Sequence, residues 1–296
     1  MVSELSILIP IYNHDVTALV HTLLAQCKRL PLTYEIRLYD DASSEQFRSI
    51  NRPLSEIEHV VYQELPENIG RAVIRNLLAE QAAYKHLLLL DNDCLPVSYN
   101  YLYNYLKETA QHDVIVGGVN YVAEVPRRDY RLHWKYGKKR GSRQAEARQE
   151  KPYNDIFLCN ALISKSVFLN FPLRQSLKRY GHEDTVFAHE LSQHQIRVKH
   201  IQNPVVHLGL EKAPVMLQKT EQAVQNLVQL YEEGNTLHSI RLIKAYSMLR
   251  GLGLHQAFTV IFSSIERIVQ QNLCSAYPSL FLFDLYRLYL LSKLMK

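Results

Sequence analysis

The sequence is short of several things, and each shortage excludes something. Its four cysteines, Cys27, Cys94, Cys159 and Cys274, lie far apart and form no CxxC pair. A zinc ribbon and a thioredoxin-type centre are therefore excluded. No uncharged apolar run reaches the roughly 18 residues that a spanning helix needs. Ser3 and Glu4 lead straight into the first apolar run, so no secretory leader is expected there, and the expected compartment is a reducing cytoplasm. Charge of one sign is lacking too: 34 Lys/Arg stand against 29 Asp/Glu, a net +5. Ten Lys/Arg and only three Asp/Glu fall within Arg127–Lys151, which leaves the remainder of the chain slightly acidic. That excludes a general basic coat for nucleic acid. The basic segment itself has few aromatics, Tyr130, Trp134 and Tyr136, and no RNA-recognition signature. Repeats and low-complexity tracts are absent. What remains, 296 residues that are 47% hydrophobic, is a globular chain of one large domain, or one domain plus an appendage.

Short β-rich runs alternate with helical patterns through the first half. Ser6–Pro10 (SILIP) and His86–Leu90 (HLLLL) are unbroken apolar runs, the pattern of strands buried on both faces. Glu35–Tyr39, His59–Tyr62, Val114–Val116, Ile156–Ser164 and Ile196–Ile201 read as further strands. Asp15–Lys28, Ala72–Tyr84, Tyr99–Gln111 and Asp184–Gln193 read as helices between them. This grammar predicts βαβ units and an α/β fold with a mostly parallel sheet. Arg127–Lys151 interrupts it and is expected to be a long, mobile loop. From Pro214 the periodicity is helical to the end, over Leu217–Glu233, His238–Arg250, Gln256–Gln271 and Pro278–Leu294. The expected division is a first domain over 1–212 and a C-terminal helical region over 213–296.

In open parallel sheets, ligands bind beyond the carboxyl ends of the strands. Tyr12 and Asn13 follow the first strand, Asp40 and Asp41 close the second, and Asp91-Asn92-Asp93 closes HLLLL. Two carboxylates one residue apart repel unless a cation or donor lies between them. A hard divalent ion commonly bridges such carboxylates to substrate phosphates. A solvated acidic turn is the alternative. Glu183 and Asp184 open a helix, where the dipole favours them, and either could serve as a general base. His207 follows Val205-Val206 and reads as a packed residue or a metal ligand.

Taken in order, these residues resemble the family 2 inverting glycosyltransferases of GT-A fold. The signs are SILIPIYN at Ser6–Asn13, YDDASSE at Tyr39–Glu45, ENIGRAVIRN at Glu67–Asn76, LLLLDND at Leu87–Asp93, YGHEDTVFAHEL at Tyr180–Leu191, and finally His207. The resemblance covers about residues 4–210 and implies a Rossmann-related sheet flanked by helices. It implies that Pro10 and Tyr12 line a nucleoside pocket and that Asp40 accepts from a uracil imide. Arg75 would contact the nucleotide, and Asp91 the ribose or sugar. Asp93, with His207, would hold Mn²⁺ or Mg²⁺ on the diphosphate of a UDP-sugar. Asp184 would be the catalytic base, with Glu183 beside it. Ala42 stands where the family usually has glycine, which fits a turn without positive φ. No QxxRW-like motif is present, which argues against a processive polysaccharide synthase.

The expectation is a metal-dependent inverting transferase acting on a glycan or lipid-linked acceptor in cell-surface polysaccharide synthesis. Two alternatives remain: a sugar nucleotidyltransferase, whose glycine-rich entry after the first strand is missing, and a non-catalytic nucleotide- or glycan-binding protein on the same scaffold. Tyr277–Lys296 is too apolar for a free surface helix. It reads as a peripheral membrane contact at the inner face, a homodimer contact, or a helix packed on its neighbours.

Overall fold

The computed structural model describes residues 4–177, 179–234 and 240–295. The chain forms two compact units. One comprises Met1–Val122, Gly141–Ser176 and Glu183–Gly209; the other comprises Ala123–Arg140, Leu177–His182 and Leu210–Lys296.

The first unit holds every strand among the described residues. In chain order these are β1 (Glu4–Ile11), β2 (Thr33–Asp40), β3 (Val60–Glu64), β4 (His86–Leu90), β5 (Cys94–Pro96), β6 (Val114–Val116), β7 (Val119–Tyr121), β8 (Asn160–Ser164), β9 (Val198–His200) and β10 (Val205–His207). Seven form one sheet in the order β3-β2-β1-β4-β8-β6-β9; a small sheet runs β5-β10-β7. In the large sheet only β8 is antiparallel, to both β4 and β6. This is the mostly parallel α/β sheet that the alternation predicts. Its central strands show why their sequences are apolar throughout. Ile7, Ile9, Leu88 and Leu90 face one buried cluster with Val20 and Leu23 of helix Thr17–Cys27. Leu8, Leu87 and Leu89 face the other with Ile74 and Leu78 of helix Arg71–Gln81. Side chains alternate along a strand, so a strand covered on both faces must be apolar at every position.

Three expectations need correction. Arg127–Lys151 is not one long loop. It contains helical turns at Arg128–Tyr130 and Gly137–Gly141 and helices at Arg131–Tyr136 and Ala145–Gln149, and it is divided between the two units. Its basic composition hid the fact that two of its residues, Leu132 and Arg148, are fully buried. Ile156–Ser164 is strand only from Asn160, because residues 156–159 form a turn closed by Asn160 N–H donating to the Phe157 carbonyl. Ala42 does adopt positive φ, +61°, so the turn keeps the left-handed geometry and alanine bears its steric cost.

Two buried polar side chains fasten the sheet edge. Asn160 Oδ1 accepts from the hydroxyls of Tyr101 and Tyr105, both at 2.6 Å, and its Nδ2 donates to the carbonyls of Gly118 (2.7 Å) and Asn203 (3.0 Å). A Cβ at Gly117 would lie 2.3 Å from the Tyr105 hydroxyl, so this crossing admits only glycine. Among the described residues Arg148 has no carboxylate partner within ion-pair distance. Its guanidinium donates to the carbonyls of Val116, Gly117, Ile201 and Arg143 and to His200 Nδ1 at 2.7 Å. His200 can accept there because it is neutral. Burial lowers its pKa, and Nε2 faces the Pro152 carbonyl at 2.8 Å.

In the second unit the described helices are Ala213–Glu232, Arg241–Gly251, His255–Leu273 and Leu280–Leu294, with Arg131–Tyr136 beside them. The helix expected from His238 is seen from Arg241, since His238 lies outside the described residues, as does Lys296. Phe283, Tyr286, Tyr289 and Leu291 of the last helix are buried, and the rings of Tyr289 and Phe262 stack at 4.8 Å. Arg140 pairs with Asp284 at 2.6 Å. Among the described residues no helix is long and apolar enough to cross a membrane.

Replacing Arg148 by Met should cost about 3–5 kcal/mol in urea unfolding. The strand-end carbonyls that it satisfies would lose their donor in a buried site.

Candidate active site

The large sheet brings the carboxyl ends of β2, β1 and β4 side by side, and the expected site residues stand there. Pro10 is half-buried near the end of β1, and Tyr12 beyond it is 54% exposed. The loops after β1 and β2 hold each other: Asn13 N–H donates to Ser43 Oγ and Ser44 N–H to Asn13 Oδ1, each at 2.8 Å. Asp40 is fully enclosed. Its Oδ1 accepts from Ser43 N–H at 2.7 Å, Arg48 Nε lies 3.6 Å away, and the Tyr62 hydroxyl is 3.5 Å from Oδ2. Asp41 binds the opposite loop, accepting from Ile69 and Gly70 N–H.

Gly70 has φ +84° and a Cβ there would meet nothing, so its role is conformational: it starts helix Arg71–Gln81. Arg71 and Arg75, four residues apart, share one helical face, and both reach Asp91 beyond β4. Arg71 Nη2 lies 3.3 Å from Asp91 Oδ2; Arg75 makes a close ion pair with Oδ1. Burial would raise the Asp91 pKa, but the two guanidinium groups outweigh it and hold the carboxyl below its ordinary range. Arg75 is thus buried and engaged with Asp91. Sequence reasoning passed over Arg71, the more exposed of the two; its signal was the i, i+4 spacing after Gly70.

Because β8 runs antiparallel to β4, with Leu90 opposite Asn160, the turn before β8 lies at the same edge as Asp91. There Leu158 N–H donates to Asp184 Oδ2 at 3.3 Å. Asp184 lies in the first turn of helix Glu183–Gln193. Its pKa is pushed up to about 6, by burial first, against the pull of Arg75 and with help from the charges of Glu183 and Asp91. Glu183 beside it is buried. A carboxyl with a pKa near 6 suits proton transfer near neutral pH better than an ordinary one.

Asp93 and His207, far apart in sequence, meet through the small sheet. β5 and β10 pair antiparallel with Cys94 opposite His207, and Leu208 N–H donates to the Asp93 carbonyl at 2.8 Å. His207 Nε2 then lies 3.5 Å from Asp93 Oδ2. One carboxylate and one imidazole at this separation fit a divalent transition ion that takes its other ligands from substrate oxygens and water. No group of three or more His, Cys, Asp or Glu converges on one point among the described residues, so the protein's share of such a sphere is small. Gly209 was also passed over. A Cβ there would stand 2.0 Å from Asp93 Oδ2.

Gly209→Ala should therefore push the Asp93 carboxylate aside. Titration calorimetry should show Mn²⁺ affinity reduced by about 10-fold or more, the range for disturbed ligand support, with little change in melting temperature.

With this geometry established, the chain can be set beside known proteins. No curated protein matches it. It is similar in structure to the mannosyltransferase PcManGT from Pyrobaculum calidifontis, solved in complex with GDP-Man and Mn²⁺. The TM-score is 0.61 at 12% identity, over 97% of this chain and 85% of that one. It is also similar to S. aureus TarS 1-349 in complex with UDP, with a TM-score of 0.51 at 16% identity, over 96% and 89% of the two chains. At such identities these likenesses speak for the fold. The sequence profile of glycosyl transferase family 2 matches residues 6–170, more than half of the chain. With the GT-A-like sheet and the carboxylates at its edge, the chain belongs to glycosyl transferase family 2.

Proposed function

We propose that this glycosyltransferase is inverting and metal-dependent, moving a sugar from a nucleotide diphosphate sugar, most simply a UDP-sugar, to a hydroxyl of a glycan or lipid-linked acceptor in cell-surface polysaccharide synthesis. The observation that carries the reading is Asp184. A half-buried carboxyl with a pKa near 6 lies at the same sheet edge as the Asp91–Arg75 pair. We assign the chemistry to residues 1–212 and regard 213–296 as a helical region on the acceptor side. GDP-Man with Mn²⁺ in one fold neighbour and UDP in another support a nucleotide-sugar donor and a divalent ion.

Asp93 and His207 would hold Mn²⁺ or Mg²⁺, and the imidazole favours Mn²⁺. The ion would supply electrostatic stabilisation of the departing diphosphate. The rest falls to the protein. Asp91, kept ionised by Arg75 and Arg71, accepts hydrogen bonds from ribose or sugar hydroxyls. Pro10 and exposed Tyr12 flank the nucleoside, and Asp40 meets the base by giving up one of its partners. Asp184 takes the proton of the attacking hydroxyl, and Glu183 raises its basicity through like charge. A single displacement from the face opposite the diphosphate inverts the anomeric centre.

Asp184→Asn keeps the shape and removes the base. Turnover should drop about 10²–10⁴-fold with donor affinity nearly unchanged; weakened donor binding at preserved turnover would instead assign Asp184 to binding. In the unsubstituted protein the rate should fall as pH drops through about 6, because the raised pKa leaves Asp184 protonated below that value. Asp93→Ala should abolish Mn²⁺-dependent donor binding, measured on a panel of UDP- and GDP-sugars that also identifies the base.

A further inference from the structure

The helical unit has an apolar face that none of its own helices covers among the described residues. In helix His255–Leu273, Phe262, Val269 and Leu273 are buried. Leu254, just before the helix, and Ile261, Ile265 and Ile268 within it follow at spacings of seven, four and three. They therefore share one face, and they are 42–66% exposed. Met248 and Leu252, at the end of the preceding helix, are exposed beside the turn that leads into it. Gly253, at φ +70°, makes that turn.

Along the two helices that carry this face, from Ile240 to Leu273, the exposed charges have one sign. Arg241, Lys244, Arg250 and Arg267 are exposed. The only acid from Ile240 to Leu273 is Glu266, and its carboxylate accepts from the Tyr289 hydroxyl at 3.0 Å, away from the face. Across the whole unit 18 Lys/Arg stand against 8 Asp/Glu, a net +10; the sheet-bearing unit carries −5.

We propose that this face is a docking surface for an anionic lipid bilayer, with helix His255–Leu273 lying in the headgroup plane. Apolar side chains at helical spacing enter the acyl boundary, and the rim of cations meets lipid phosphates. A second copy of the chain is the poorer occupant, since face-to-face contact would bring two such cationic rims together without an acid to separate them. The helix is not one that crosses the bilayer. The surface stands apart from the transferase reading, because binding a vesicle needs neither donor nor metal.

The test is co-sedimentation of the full chain with sucrose-loaded vesicles, either pure phosphatidylcholine or an equal mixture of phosphatidylcholine and phosphatidylglycerol. Binding to the mixture should exceed that to pure phosphatidylcholine by about 10-fold and weaken as salt rises. Ile261→Glu with Ile265→Glu should lose that binding by about 10-fold or more. Arg241→Gln with Lys244→Gln should lose it severalfold, and both variants should melt at the unsubstituted temperature because the replaced side chains are exposed. Failure of the unsubstituted chain to sediment with anionic vesicles, or binding by folded Ile261/Ile265 variants at the original level, would overturn the proposal. So would a dimer in light scattering that those variants dissolve, which would assign the face to a second copy.

Discussion

The site depends on one buried amide. Asn160 spends both ends of its side chain on three segments that sequence separates: helix Tyr101–Leu106 through two tyrosine hydroxyls, the glycine turn at 117–118, and the stretch at Asn203. The first of these helices follows β5, at whose start Asp93 sits, and Asn203 precedes β10, which ends on His207. The backbone of Asn160 is itself the start of β8, opposite the end of β4 and hence beside Asp91. One side chain therefore joins the small sheet, with its Asp93–His207 pair, to the large sheet, with Asp91 and Asp184. Buried polar groups cost free energy unless every donor and acceptor is met. Here they are met, so the crossing is specific as well as stable.

The second constraint is electrostatic. Asp91 and Asp184 lie at one edge with Arg75 between them in the charge balance, and the arrangement drives the two carboxyls apart. The one nearest two guanidinium groups stays ionised, and the one left to burial and its acidic neighbours becomes more basic. Two carboxylates of equal chemistry thus acquire different duties from their surroundings. No rare residue or unusual backbone is needed at either position.

Much of the fold was readable because unbroken apolar runs of five residues, such as His86–Leu90, have few other fates. The three-residue strands β5, β7 and β10 were not, since no period shows in three residues and their pairing partners lie far off in sequence. The carboxylates at the site were legible by position, at the ends of buried strands, although their roles came from resemblance. The meeting of Asp93 with His207 was legible only in that way, because it is made by β5–β10 register. Arg148 misled: a cation in a basic, glycine-bearing segment looks solvated, and only the tertiary fold supplies the carbonyls that bury it. Gly209 left no local signal either, for its constraint is the carboxylate of a residue more than a hundred positions away.

The loops after β1 and β2 are bound to each other by the Asn13–Ser43 and Asn13–Ser44 hydrogen bonds, and both carry a non-glycine residue in the left-handed region, Asn13 at φ +48° and Ala42 at +61°. Changes to one loop are then felt by the other, and coupling energies between residues in such contact reach about 0.5–3 kcal/mol. Substitutions here will be epistatic: their effects will not add, and the order in which they are acquired will matter. Any attempt to reshape this end of the sheet, by selection or by design, has to vary the two loops as one unit.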